Sequence, residues 1–251
     1  MNPKDIYNQL PQSTKEKLLN PTAKNIGETL GGVSELLLSP INILTSWSNA
    51  YIRKFKQSII DNVNKIPEEN RDPSKLNLAM KTIEDSKYQI ANDDLREMFA
   101  KLVAASIDKN KSKNLSPRFS TILSQLSPSD AKLLKELSFN TELPIPTVIY
   151  TIDTGAKNYY PFLDHYIGIN YSKDNIVQNE AGLDTLSSLG IIQIKDNFEI
   201  SEEHIQSFYK EMKYAEYPIK SFDGKAERNI RIENGIIKFT EFGLNFLKSV
   251  I

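Results

Sequence analysis

Three times between residues 66 and 137 a short polar residue is followed at once by proline: Asp72-Pro73, Ser116-Pro117 and Ser127-Pro128. The first residue of such a pair offers a side-chain oxygen to the unpaired amides of a helix start. The proline then fixes φ where no amide is needed. Behind each pair, apolar residues recur at helical spacing: Leu76, Met80 and Ile83; Phe119, Ile122, Leu123 and Leu126; Leu133, Leu134 and Leu137. A further start lies at Asn92 or Asp94, where Glu97 stands three residues after Asp94 as a capping box requires. Leu95, Met98, Phe99, Leu102, Val103 and Ile107 then form one broad apolar face, which turns this helix toward a core. Starts this close together demand short connections, so the stretch predicts a compact helical bundle. Its one long polar break, Lys109 to Asn114, reads as an exposed loop.

Upstream, residues 1–20 are polar and read as an N-terminal arm. Residues 22–38 read as a helix with Ile26, Leu30, Val33 and Leu37 on one face, weakened by Gly27, Gly31 and Gly32 and broken at Ser39-Pro40. A second helix is predicted from about Ile41 to Lys65, with Trp47, Tyr51, Phe55, Ile59 and Val63 at i+4 steps and Arg53, Lys54 and Lys56 on its other side. Amphipathic helices of this kind usually cover a core. An aromatic beside a basic cluster also suits a membrane surface or a protein partner, so Trp47, Arg53, Lys54 and Lys56 are the candidate contact residues.

Beyond Phe139 the pattern changes. Pro144 and Pro146 mark a break, residues 173–189 read as a helix stopped by Gly190, and Ile191 to Ile194 as a short strand turned by Asn197. Ser201 opens a helix bearing Ile205, Phe208, Tyr209 and Met212. Asn229 to Phe239 reads as a hairpin turning at Asn234-Gly235, and Thr240 caps a last helix with Phe242, Phe246, Leu247 and Val250. The fold expected is mainly α: a helical domain over 21–140 and a small α+β domain of winged-helix-like element order over 141–251.

Charge is uneven along the chain. Residues 1–66 carry eight Lys/Arg against five Asp/Glu, residues 67–137 twelve against eleven, and residues 138–251 eleven against sixteen. A winged-helix domain ordinarily binds nucleic acid, which needs Lys and Arg against phosphate; an end with five excess acids makes duplex DNA an unfavourable partner. A protein partner or self-association is expected instead. Cysteine is absent, which excludes disulfides and cysteine–zinc sites and fits a reducing cytosol. Met1 is not followed by a basic-then-apolar leader, and no apolar run approaches the ~20 residues of a spanning helix. The expected location is cytoplasmic, with membrane association on activation.

Catalytic chemistry finds no constellation. His165 and His204 stand apart in polar surroundings and read as ordinary surface or boundary histidines, not metal ligands. Asp196 with Glu211 and Lys213 mimics a nuclease pattern, but a two-residue spacing in a helix sends Glu211 and Lys213 to different faces. Gly27 to Ser34 resembles a phosphate loop without its lysine, since Val33 stands there. The tyrosines between Tyr150 and Tyr171 suit base stacking or a peptide groove, but more often pack at the rim of a core. No catalytic residue, cofactor or metal is expected.

The stretch from about Pro21 to Leu137 resembles the abortive-infection alpha family, bacterial proteins tied to phage defence. The resemblance rests on Ile66-Pro67-Glu68-Glu69-Asn70, on Leu95-Arg96-Glu97-Met98-Phe99-Ala100-Lys101-Leu102, on Pro117 to Phe119 and on Leu126-Ser127-Pro128-Ser129-Asp130-Ala131, with Asn20 to Lys24 and Gly27 similar too. It implies structural roles for Pro67, Glu68, Asn70, Arg96, Met98, Phe99, Pro117, Phe119 and Asp130. Family members often carry a histidine before the proline that is Pro117; Ser116 stands there, so no role of that imidazole carries over. What the resemblance implies for function is antiphage defence exerted through contacts, with a winged-helix regulator of nucleic acid as the alternative.

Overall fold

The computed structural model describes residues 49–139, 141–153, 159–161, 165–214 and 230–251. The chain divides into two compact units, Met1–Gln125 with Lys248–Ile251, and Leu126–Leu247. Helix predominates among the described residues, so the protein is mainly α, with one antiparallel sheet.

The first unit contains α1 (Asn49–Asn64), α2 (Leu76–Asp85), α3 (Asp93–Ile107) and α4 (Arg118–Gln125). Helix α3 is its axis, packed against α1, α2 and α4. The expected face of Leu95, Met98, Phe99, Leu102, Val103 and Ile107 is buried, and so are Ala100, Ala104 and Ala105 on its flank, because a helix enclosed by three neighbours buries more than one stripe. Phe55, Ile59 and Val63 supply the inner face of α1, all nearly inaccessible.

At two starts the structure refines the expectation. Asp72 takes the amide and hydroxyl of Ser74, both at 2.9 Å, and caps a single 3₁₀ turn, Pro73–Lys75, before α2 begins. The Ser74 amide, its hydroxyl and nearby lysines hold the Asp72 carboxyl below its ordinary range. At α3 the cap is Asn92, whose side chain accepts from the Leu95 amide at 3.0 Å. The Glu97 carboxylate accepts from Asn62 of α1 at 2.9 Å.

Of the residues behind the family resemblance, Arg96, Met98, Phe99, Phe119 and Asp130 are buried, and Pro67, Glu68 and Pro117 are exposed. The Asn70 carbonyl accepts from the Lys109 amide at 2.8 Å, and the Asp72 amide donates to the Ile107 carbonyl at 2.7 Å, tying the chain after exposed Pro67 and Glu68 to the end of α3. Arg96 is buried and donates to the Ile90 carbonyl at 3.1 Å and to Asp93 at 2.6 Å. That bond lowers the Asp93 pKa. Ser116 accepts from the Arg118 amide at 3.2 Å where α4 starts, with Pro117 exposed and Phe119 buried.

The second unit opens with α5 (Pro128–Leu137), begun by a reciprocal capping box: Asp130 N–H to Ser127 Oγ at 3.2 Å and Ser127 N–H to Asp130 Oδ2 at 2.8 Å. There follow β1 (Ile145–Asp153), β2 (Tyr159–Pro161), β3 (Tyr166–Gly168), β4 (Ile176–Val177), α6 (Glu180–Ser188), β5 (Ile192–Asp196), α7 (Glu203–Tyr214), β6 (Ile230–Phe239) and α8 (Glu241–Val250). The strand order is β4-β3-β1-β6-β5, with β2 paired to the far end of β1. Pro146 lies inside β1, where pairing with β3 has not yet begun, so its missing amide is tolerated.

Two elements correct the sequence reading. Residues 173–189 are not one helix. Ser172 caps a lone 3₁₀ turn, Ile176-Val177 joins the sheet beside β3, and Asn179 starts α6 by accepting from the Gly182 amide at 2.9 Å. Asn234-Gly235 is not a hairpin turn either. β6 runs straight through it, pairing Asn234 with Val148 and Gly235 with both Thr147 and Asp196. A central strand with partners on both sides outweighs the local turn preference of the dipeptide. The antiparallel pair that does form is β5 with β6, and α7 is inserted between them. Thr240 caps α8 as expected, accepting from the Gly243 amide at 2.8 Å.

Candidate functional site

The sheet has two faces, set by strand alternation. On one, Val148, Tyr150 and Tyr166 form a core with Ile205, Phe208, Tyr209 and Met212 of α7. Tyr150 and Tyr166 meet edge to face at 5.1 Å, and Tyr150 donates to the Met212 carbonyl at 3.0 Å, so these two tyrosines serve packing. Tyr209 donates to the Gly235 carbonyl at 2.9 Å; burial, with Glu199 nearby, pushes its phenol well above the ordinary value.

The other face carries the row Ile167, Thr147, Gly235 and Asp196, opposed in register across four strands. Gly235 is required there. A Cβ on it would stand 2.8 Å from Thr147 Oγ1, 3.1 Å from the Lys195 carbonyl and 3.3 Å from Asp196 Oδ1. Thr147 Oγ1 and Thr151 Oγ1 are buried and make no hydrogen bond among the described residues.

His165, immediately before β3, completes this face, and it corrects the sequence reading. It is not a surface histidine but is 8% exposed, clamped between two carboxylates. Nδ1 lies 2.9 and 3.1 Å from the oxygens of Glu180, and Nε2 lies 3.1 Å from Asp196 Oδ1. The His165 amide donates to Glu180 Oε2 at 3.0 Å. Three elements hold the clamp: Glu180 is the first residue of α6 behind its Asn179 cap, Asp196 ends β5, and His165 leads into β3.

Both ring nitrogens can donate only when the imidazole is protonated. Burial alone would push the His165 pKa down, but the bonds and charges of Glu180 and Asp196 outweigh it and raise the pKa above its ordinary value. Burial likewise acts upward on Glu180, yet the His165 amide and ring hold its carboxyl below the ordinary range. In its protonated form the ring has no free lone pair and bridges the three elements. Among the described residues no group of three or more His, Asp or Glu is arranged to hold a metal ion.

The contact candidates from the sequence lie on α1 or outside the described residues. Arg53 and Lys54 are exposed on α1 and Lys56 is half-buried; Lys54 is close enough to Asp93 to help lower its pKa. Trp47, with the helix expected over 22–38 and the arm before it, lies outside the described residues, as do the side chains of His204, Tyr159 and Tyr160. Asp196 is engaged by His165, while Glu211 and Lys213 are exposed on α7. Among the described residues no helix is long and apolar enough to cross a membrane.

The model of the family described as abortive infection alpha matches residues 48–250. The match takes in the sheet as well as the helices, beyond the Leu137 limit read from the sequence, and the chain belongs to that family. Neither a curated protein nor a solved structure matches it.

Proposed function

We propose that this member of the abortive infection alpha family is an antiphage defence protein that acts by contact and not by catalysis. The family match over residues 48–250 carries the reading. The clamp supports it from the side of chemistry: the one buried histidine among the described residues is spent on two carboxylates. The contact is with a protein partner or a second copy of the chain. At the membrane surface it would run through Arg53, Lys54, Lys56 and Trp47, the basic side chains of α1 meeting anionic headgroups. The protein acts from the cytoplasm. Phage plating on cells with and without the gene tests defence; equal plaque numbers across a panel of phages would refute it. Liposome sedimentation at low salt tests the membrane route, with Arg53, Lys54 and Lys56 changed together to Gln as the weakened variant.

The second reading is a winged-helix regulator of nucleic acid. The antiparallel β5–β6 pair behind α6 supports it, as a wing would follow its helix. Charge weighs against it. Residues 138–251 hold eleven Lys/Arg against sixteen Asp/Glu, and α6 with the turn before it offers Lys173 against Asp174, Glu180 and Asp184. Such a helix would meet phosphate with like charge. Fluorescence anisotropy of the full chain with mixed-sequence duplex at moderate salt separates the readings. Weak or no binding is expected; tight binding with a steep salt dependence would favour the regulator.

A further inference from the structure

We infer that Glu180, His165 and Asp196 form a proton-operated latch, closed by the imidazolium across α6, β3 and β5 and opened on the Asp196 side when His165 loses its proton.

The number of ring N–H donors sets how many carboxylates the ring can hold. An imidazolium satisfies both carboxylates, at 2.9 Å through Nδ1 and 3.1 Å through Nε2. A neutral ring keeps one N–H and turns a lone pair toward the remaining carboxylate, a repulsive contact at a buried ring. One side must let go, and the geometry chooses which. Glu180 has both oxygens on Nδ1, a main-chain bond from the His165 amide, and a place in the first turn of a helix, where a carboxylate is favoured. Asp196 has a single contact with the ring, a side chain 47% exposed, and Asn197 in the left-handed region (φ 55°) directly after it. The Asp196 bond is therefore the one that opens.

No other described charge faces the ring. Glu180 comes from α6 and Asp196 from β5; β1 and β6 contribute the uncharged Thr147 and Gly235 to the same row. Lys195 lies over the ring of Phe198, 5.3 Å from its centre. Opening would loosen the end of β5 and the turn that follows, which is tied to β6 by Phe198 N–H to the Asn234 carbonyl at 3.1 Å and by Asn234 to Glu199 at 2.6 Å.

The sign follows from linkage. His165 is raised, so its contribution is fully present below the unfolded value of about 6.5 and is lost as pH rises through its folded value. Glu180 is lowered, so its contribution is present above about 4.3 and is lost only as pH falls through its depressed folded value. The latch is closed between those two folded values and opens on the alkaline side.

The test uses the full chain. NMR titration of its two histidines, with His165 assigned by comparison with His165→Gln, should show His165 titrating above the ordinary value with both ring nitrogens protonated below its midpoint. Amide exchange of Ile194 to Phe198, corrected for intrinsic rates and referenced to α3, should accelerate through that midpoint. The rise should reach about tenfold for each unit by which His165 is raised. Asp196→Asn is mild and exposed, and its amide can accept from or donate to Nε2, so it should flatten the pH dependence while the protein stays folded. A His165 that titrates at or below the ordinary value would overturn the latch. So would exchange at Ile194–Phe198 that follows α3 throughout, or a pH dependence unchanged by Asp196→Asn.

Discussion

The helical unit and the sheet unit are held by interactions of different reach. The start of α3 is set by local contacts: Asn92 caps an amide three residues on, and Arg96 bonds Asp93 three residues back. In the sheet unit β1 and β6 pair residues about 80 to 90 positions apart, and His165 finds Glu180 and Asp196 fifteen and thirty-one residues away. Local interactions leave periodic traces in a sequence; long-range pairing leaves only residue types that fit. The two units are thus unequally readable, and they should fail differently when perturbed.

The sharpest break is Phe99→Asp in the helical unit. Phe99 is inaccessible at the centre of α3, and truncation of such a ring alone costs about 3–5 kcal/mol. An unpaired buried carboxylate adds to that loss. Loss of helical circular dichroism and of a cooperative melt is the expected outcome. An unchanged melt would remove α3 as the axis of its unit.

A second change sets local preference against tertiary packing inside the sheet unit. Gly243 lies in α8, where helix propensity alone would make Gly243→Ala stabilising by about 1 kcal/mol. A Cβ there would stand 2.0 Å from the Ile191 carbonyl oxygen, which is backbone and has little room to move. Packing should win, with a net loss of about 1–3 kcal/mol read from the denaturation midpoint. A gain in stability would mean that the sheet unit is as locally governed as the bundle.

That contrast explains which elements are legible in the sequence. The face of α3, the Ser127–Asp130 start, the Thr240 cap and the turn at Asn197 are visible because the signal and the partner lie within a few residues. Asn234-Gly235 misleads for the same reason: the dipeptide is a strong local turn signal, but Gly235 serves the space beside Thr147 and Asp196, not a turn. Residues 173–189 mislead because Ile176 and Val177 are drawn into the sheet by β3, a partner no local window contains. The His165 clamp has no sequence signature of its own. Its traces are an acidic residue behind a capping Asn179 and another before a turning Asn197, and nothing in either spacing points to residue 165.

The smallest effect gives the finest test, because it compares one residue type in one role in both units. Asn92 caps α3 by accepting from the Leu95 amide at 3.0 Å, and Asn179 caps α6 by accepting from the Gly182 amide at 2.9 Å. Both receiving residues are buried, so either amide loses its acceptor with little water to replace it. Replacement of such a cap by alanine costs about 1 kcal/mol. If caps act locally, Asn92→Ala and Asn179→Ala should cost the same to within about 0.5 kcal/mol, each read by amide exchange in its own helix. The acids beside them break the symmetry. Asp93 gives an oxygen to Arg96 on its own helix, whereas Glu180 gives its carboxylate to His165. A frayed first turn in α6 would therefore move Glu180 and lower the titration of His165, while fraying of α3 has no such route. Asn179→Ala should shift the His165 midpoint downward and Asn92→Ala should leave it in place. Equal shifts from both, or none from Asn179→Ala, would show that the clamp is held by the sheet alone and that the start of α6 merely lies beside it.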